Sequence, residues 1–385
     1  MKESATDSPV ESLLRERIQT SCHRRVRWRD VMDLALYEPG VGYYRQGVRT
    51  IGRGGDFFTS VSVGSVLGEL LAGYCHEVWT REGQPETFAI IEQGANEGYL
   101  ARDILEAVRR NHPELWDRLL FWIIEPYGPL REVQKNTLGP ELAEKLRTSD
   151  GLDHFQDGTH AVFLANELLD AFPTHRVHWT GAVWEEWCVT LDEADQWKWI
   201  SVAVDDPALV RELALLPLDL APGYTTDLNL DMLKWLSEVR ALPFQGTVVL
   251  LDYGLPEVEY FLPTRRAGTL RRYYRHRMDD RVLEDLGDSD LTTHVNFTRL
   301  TREAERQGFI LLDFIEQGRF LTQLAVLRLK SELPPPPPEW VRQFQTLTHP
   351  NQMGMSFHAL LLSKDLPLNG ADRESRTRAV RRLGL

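Results

Sequence analysis

The sequence predicts an α/β protein, with a mainly parallel sheet covered by helices on both faces. Short, continuously apolar runs carry the prediction: TFAIIEQG (87–94), LLFWIIEP (119–126), AVFLANEL (161–168) and GTVVLLDYG (246–254). Strands buried on both faces lose the apolar–polar alternation of a half-exposed strand, and these runs have lost it. Helical spacing at 99–111 and 130–138 separates the first three runs, the order that builds βαβ units. The run GFILLDFIEQGRFL (308–321) adds at least one more strand, with an antiparallel pair at the sheet edge.

The flanks read differently. Helices are expected over 12–20, over 28–37 (stopped by Pro39 and Gly40) and over 63–79. Between them GVGYYRQGVRTIGRGG (40–55) is too rich in glycine for regular structure and reads as a structured loop. Residues 175–204 alternate apolar and polar positions with tryptophans, the pattern of a β-meander. The stretch 268–297 fits neither period, and Pro334–Pro338 reads as a polyproline II spacer. The expected division is a cap and closing loop over 1–84 and a core over 85–330, with a closing segment over 331–385. The core carries insertions at about 175–240 and 265–298.

Composition limits the function. The 385 residues hold 44 Lys and Arg against 57 Asp and Glu, a net charge of −13 that disfavours binding along a nucleic-acid backbone. Cys22, Cys75 and Cys188 are too scattered for a disulfide framework or a structural zinc site, so no metal is expected. Residues 1–18 lack an apolar leader core and carry acids early, and no apolar run reaches 18 residues. A cytoplasmic location without a membrane span is the expectation.

Ligands of open α/β sheets bind beyond the carboxyl ends of the strands, so the strand-end residues are the informative ones. The first strand ends in Glu92-Gln93-Gly94-Ala95-Asn96-Glu97-Gly98, where Gly94 and Gly98 allow a tight turn and close backbone approach. The second ends in Glu125, placed to accept hydrogen bonds from ribose hydroxyls. Together they favour a nucleoside-containing cofactor. GxGxxG and GxxxxGK[ST] are absent, which counts against nicotinamide dinucleotides and nucleoside triphosphates. The third strand ends in Asn166-Glu167-Leu168-Leu169-Asp170 and the fourth in Asp252-Tyr253, an acidic rim suited to a cation such as a sulfonium or a guanidinium. Each feature alone has a plainer reading: a βα turn, a solvated strand-end acid, or a helix N-cap for Asp170.

Several segments then match one family in order: DVMDLALYEPGVGYY (30–44), GGDFFTSVSVGSVLGELL (54–71), IIEQGANEGYLARDIL (90–105), WIIEPYGPLREVQ (122–134), ANELLDAFP (165–173) and VLLDYG (249–254). The stretch 268–297 and MGMSF (353–357) complete the set. The chain resembles the MidA-like family of S-adenosylmethionine-dependent methyltransferases, which includes a mitochondrial complex I assembly factor that methylates a protein arginine. The resemblance implies a Rossmann-like methyltransferase sheet with an N-terminal helical cap and an inserted β-rich lid. It also implies S-adenosyl-L-methionine held by Asp56, Phe57, Thr59, Ser60, Glu92, Gly94, Ala95, Asn96, Gly98, Glu125, Asn166 and Glu167. Two departures stand out. The family commonly reads ExGxGxG where this chain has Asn96 as the middle residue, and Pro-Glu where it has Val61-Ser62.

The function expected is methylation of a protein, with arginine as acceptor, by in-line transfer. Glu167 and Asp170, then Asp252, are the candidates for holding the guanidinium, with His175, His276 or His294 as possible proton acceptors. The partner expected is a protein substrate, from a respiratory complex or another basic peptide, and not nucleic acid. A non-catalytic scaffold that keeps the fold and binds a partner is the rival reading.

Overall fold

A computed structural model describes residues 7–46, 59–151, 158–217, 219–275, 277–331 and 333–385. The central strands are β1 (Phe88–Gln93), β2 (Leu119–Ile124), β3 (Leu146–Ser149), β4 (Thr159–Asn166), β5 (Phe244–Leu255), β6 (Ile310–Glu316) and β7 (Phe357–Lys364). They follow the order β6-β7-β5-β4-β1-β2-β3, and a short strand at Val295–Asn296 pairs with β5 off that path, making eight. From β3 to β5 all neighbours are parallel, while β7 is antiparallel to both β5 and β6. This is the Rossmann-like sheet expected for a methyltransferase. The strand order reverses between β1 and β4, which opens a crevice at their carboxyl ends.

Helices α1 (Pro9–Thr20), α2 (Trp28–Tyr37), α3 (Val66–Arg81), α4 (Tyr99–Asn111) and α5 (Gly128–Ala143) precede β4; α6 (Leu230–Ala241), α7 (Phe297–Arg306), α8 (Gln317–Lys330), α9 (Pro338–Thr348) and α10 (Gly370–Leu383) follow it. Helix α1 starts earlier than the apolar period indicates. Pro9 occupies its first turn, and Ser8 and Glu11 form a reciprocal capping box. The strand expected over 308–321 stops at Glu316, and Gln317 begins α8; the antiparallel partner at that edge is β7, from the C-terminal segment. Strand β3 has only two fully buried positions and escapes the pattern.

Two cores cover the two faces of the sheet. One joins Leu67 and Leu71 of α3, Ile104 of α4 and Leu321 of α8 to Phe121. The other joins Trp235 of α6, Leu300 of α7 and Leu383 of α10 to Phe163 and Phe314. A third core ties the cap to the insertions: Leu14, Trp28, Met32 and Leu36 pack with Val189, Leu286 and Leu291. Burying each such side chain contributes roughly 1.5–3 kcal/mol, so the cap is bound as firmly as a core layer.

The meander is present as His175–Trp179, Trp184–Leu191 and Trp197–Ala203; Tyr224–Leu228 widens it beside His175–Trp179, and Val26–Arg27 pairs with Trp184–Leu191 on the edge it shares with His175–Trp179. The second insertion is a three-stranded sheet of Arg271–Tyr274, Arg277–Asp279 and Asp290–Thr292. Arg272, fully buried there, is held by Asp279 and Asp285 at 2.8 and 2.6 Å. Among the described residues no helix is long and apolar enough to cross a membrane.

Candidate active site

A cavity of about 830 Å³ opens at the switch point, within the usual size of a small-ligand site. Its floor is the turn that leaves β1. Gly94 and Gly98 adopt φ of +82° and +84°, and Asn96 adopts φ +45°. A Cβ on Gly94 would lie 3.2 Å from Leu168 Cδ1, and one on Gly98 would lie 3.3 Å from Gln134 Cα. Asn96 takes the place of the family's middle glycine in the left-handed region, which asparagine tolerates better than most side chains. Its carbonyl oxygen accepts a hydrogen bond from Gln134 Nε2 of α5 at 2.8 Å, so the turn is braced despite the substitution. Glu92 lines the cavity at 2% exposure, and its Oε2 meets no hydrogen-bond donor among the described residues. Burial, then the charge of Asp103, pushes its carboxyl up to about 8.

Glu125 follows β2 and faces the same cavity. Its Oε1 accepts the Tyr127 backbone N–H at 2.8 Å and has the Arg45 guanidinium 3.8 Å away. Burial raises its carboxyl, and these partners oppose the rise. Two carboxylates of different exposure to cations thus face one chamber.

The opposite wall comes from the turn after β4. Glu167 sits at φ +52°, a strained setting for a side chain of its size, and its N–H donates to the Leu251 carbonyl at 2.8 Å. Its Oε1 accepts the Ser60 N–H at 2.8 Å and Asn166 Nδ2 at 3.2 Å. Asn166 Oδ1 is buried and meets no donor among the described residues. Asp252 lies beneath the turn: its Oδ2 accepts the Leu168 and Leu169 N–H groups at 3.2 and 2.8 Å, and its Oδ1 accepts that of Tyr253 at 2.7 Å. Neither Asp252 nor Asp170 lines the cavity. Burial followed by the charges of Asp252, Asp290 and Glu167 holds the Asp170 carboxyl well above its usual range.

The remaining sequence candidates scatter. Thr59 lines the cavity and Ser60 is fully buried behind it, whereas Asp56 and Phe57 lie outside the described residues, as does His276. His175 pairs with Glu186 at 2.6 Å inside the meander. His294 packs edge-on against Tyr253 at 4.3 Å, and burial pushes its imidazole down to about 3. Neither described histidine lines the cavity. One trio of metal-capable groups, His76, His112 and Glu114, stands beyond the end of α4 away from Gly98. The two rings stack at 4.2 Å and 17°, so their in-plane lone pairs run side by side rather than converging. The cavity also holds residues that strand-end reasoning passed over: Tyr37, Tyr43, Tyr44 and Arg45 from the cap, and Trp235 of α6. The tyrosines lie in or beside GVGYY, which reads as a loop motif in one dimension; three tyrosines within the eight residues 37–44 are the available signal.

Comparison with known proteins agrees with this geometry. A mouse protein named protein arginine methyltransferase NDUFAF7, mitochondrial, is 27% identical over 376 residues, covering 90% of this chain and 82% of the relative. The Drosophila melanogaster homologue is 26% identical, covering 86% and 80%. A crystal structure of a COG1565 superfamily member from Burkholderia thailandensis, bound to S-adenosyl-homocysteine, superposes with a TM-score of 0.83 at 28% identity, covering 94% of this chain and 96% of that one. The cytoplasmic location expected from residues 1–18 is overturned, because the mouse and fly relatives are named as mitochondrial proteins. That expectation rested on a leader pattern, and neither composition nor fold encodes a compartment. The family model of S-adenosyl-L-methionine-dependent methyltransferases, Methyltransf_28, matches residues 70–315, and the chain belongs to that family.

Proposed function

We propose that this methyltransferase acts on an arginine side chain of a protein, and that Glu167 is the residue that holds the guanidinium. The carrying observation is the Glu167 carboxyl, fixed on the cavity wall by the Ser60 N–H and Asn166 Nδ2; burial raises it, and a cation beside it would favour its ionised form. The names of the mouse and fly relatives support the same acceptor. S-adenosylmethionine supplies a methyl group on a sulfonium, electrophilic toward a nitrogen lone pair.

In this reading Glu92 and the Gly94–Gly98 turn bind the amino-acid part of the cofactor, and Glu125 binds its ribose. Asn166 turns its unpartnered Oδ1 toward a donor on the bound molecules. Glu167 orients the guanidinium and draws its positive charge away from the attacking nitrogen, a positioning effect of the kind that dominates such transfers. Asp252 and Asp170 act through the turn: Asp252 fixes the Leu168 and Leu169 N–H groups, and with them the direction of Glu167. Helices α1 and α2 serve as the cap, and the insertion that carries Leu286 and Leu291 as part of the lid over this chamber, whereas α3 belongs to the layer on the sheet.

The test is transfer of labelled methyl from S-adenosylmethionine to peptide libraries that differ only in arginine or lysine at one position, followed by hydrolysis and identification of the labelled residue. Methylarginine is expected from the wild type, with Glu167→Gln reducing transfer about a hundredfold while cofactor affinity changes less than threefold. Label on another residue type would sink the reading.

A further inference from the structure

The cap places three tyrosines on the cavity wall, and the way it does so is specific. Tyr37 ends α2, and the chain then doubles back at Gly42, where a Cβ would lie 2.6 Å from the Glu38 nitrogen. The return is pinned by Tyr43 N–H to the Ala35 carbonyl at 2.8 Å and Tyr44 N–H to the Leu36 carbonyl at 2.9 Å. Tyr44 consequently stacks on Tyr37, with centroids 5.7 Å apart and planes 24° apart, and Tyr43 meets Tyr44 edge-on at 5.0 Å. The hydroxyls of the stacked pair are committed elsewhere. Tyr37 donates to the Ala171 carbonyl at 3.0 Å and Tyr44 to Asp290 Oδ1 at 2.9 Å. With the polar tips tied back, what these rings present to the chamber is their carbon surface.

Those two hydrogen bonds also fix which end of the cavity the rings occupy. Ala171 follows Glu167 on the turn after β4, and Asp290 is one of the acids whose charge reaches Asp170. The pair therefore stands where a carboxylate and an aromatic face can meet one ligand. A guanidinium is planar and weakly hydrated and stacks on an aromatic ring while pairing edge-on with a carboxylate; an ammonium is compact, strongly hydrated and gains less from the ring.

We infer that Tyr37 and Tyr44 are specificity-determining residues for the acceptor, stacking its guanidinium against Glu167 and so selecting arginine over lysine. Asp290 is a positioning residue that acts through the Tyr44 hydroxyl. The inference rests on the arginine reading above.

Calorimetry on the full chain loaded with S-adenosylhomocysteine tests it, using N-acetyl-arginine methylamide and N-acetyl-lysine methylamide as probes. The wild type is expected to bind the arginine probe at least tenfold more tightly than the lysine probe. Tyr37→Leu and Tyr44→Leu should each remove most of that preference while S-adenosylhomocysteine still binds. Tyr44→Phe keeps the ring and should lose no more than threefold, and Asp290→Asn, which acts only through the hydroxyl that variant lacks, should lose no more than Tyr44→Phe does. Undiminished selectivity in both leucine variants overturns the tyrosine wall and leaves the arginine reading standing. A wild type that binds S-adenosylhomocysteine yet does not favour the arginine probe sinks the arginine reading and the wall with it. Should either leucine variant fail to fold, the tyrosine ultraviolet difference spectrum of the wild type decides: the arginine probe must perturb it more than the lysine probe does.

Discussion

At its glycine-turn end the cavity is made of residues that leave β1 and β2 directly, whereas at its Glu167 end four distant segments meet. Glu92, Gly94 and Gly98 are consecutive with β1, and Glu125 is the residue after β2. Their placement follows from the parallel pairing of those strands, in register from Phe88 with Leu119 to Gln93 with Ile124. The other end has no such scaffold. Ser60 reaches Glu167 across 107 residues of chain, and Tyr44 reaches Asp290 across 246. The first end is fixed by local geometry, the second by tertiary closure of the cap and the insertions. Substitutions at the two ends should therefore separate cofactor affinity from acceptor handling.

The largest effect is expected at the rigid end. Gly94→Val adds a branched side chain at φ +82° on the cavity lining, where its Cβ already meets Leu168 at 3.2 Å. Cofactor affinity measured by calorimetry should fall at least a hundredfold, about 2.8 kcal/mol, while circular dichroism shows a folded chain. Retained affinity would place the cofactor somewhere other than this turn and dissolve the contrast between the two ends.

The same end should carry a pH dependence that shows in cofactor binding. With its carboxyl pushed up to about 8, Glu92 is protonated in the folded apo protein at pH 6. A cationic ligand favours the ionised form, so binding expels the proton and affinity rises with pH, by up to about tenfold per unit, and levels off above 8. For the apo protein the dependence runs the other way. The folded state holds the proton between the ordinary value of 4.5 and about 8, so this contribution to stability is complete at low pH and is lost as pH rises through 8. Calorimetry at pH 6–8 in phosphate and in Tris, whose ionisation enthalpies differ, counts the released proton. Glu92→Gln should flatten the affinity slope and reduce the stability slope, which the raised carboxyls of Asp170 and Asp252 share; an unchanged affinity slope in that variant would assign the released proton to another group.

The contrast between the two ends also explains which residues could be read from sequence. Glu92, Gly94 and Glu125 are legible because a strand end followed by glycine or an acid is a pattern within eight residues. Glu167 is half-legible. Its position after β4 marks it, but its φ of +52° and its bond to Ser60 exist only in three dimensions. The tyrosine wall and Asp290 are not legible, since nothing in GVGYY or DSDLTTH indicates that these segments meet. The fold divides in the same way. The parallel strands announce themselves by apolar runs, whereas the insertion of β7 between β5 and β6 is a long-range pairing that no local pattern encodes. Asp252 is legible as a strand-end acid, yet three backbone N–H groups occupy its carboxylate, which makes it a support for the turn.

The smallest effect is expected where the two ends touch, at consecutive residues of the cap. Tyr44 is tied to Asp290 at the acceptor end, while Arg45 reaches back to the other end, 3.8 Å from Glu125 and 5.3 Å above the Tyr127 ring. At that separation, with the arginine side chain 22% exposed, the pair contributes about 0.2–1 kcal/mol. Arg45→Ala should weaken S-adenosylhomocysteine binding by no more than about fivefold, and by less still in 0.5 M salt, where the attraction is screened. Arg45→Lys restores the charge without the planar stack, so it should recover only part of the loss. A loss from Arg45→Ala as large as that from Gly94→Val would mean that the cap is structurally part of the cofactor end. Closure of the cap and binding of the cofactor would then be a single event, and Tyr44, held by the same backbone, would reach its bond to Asp290 only after the cofactor had bound.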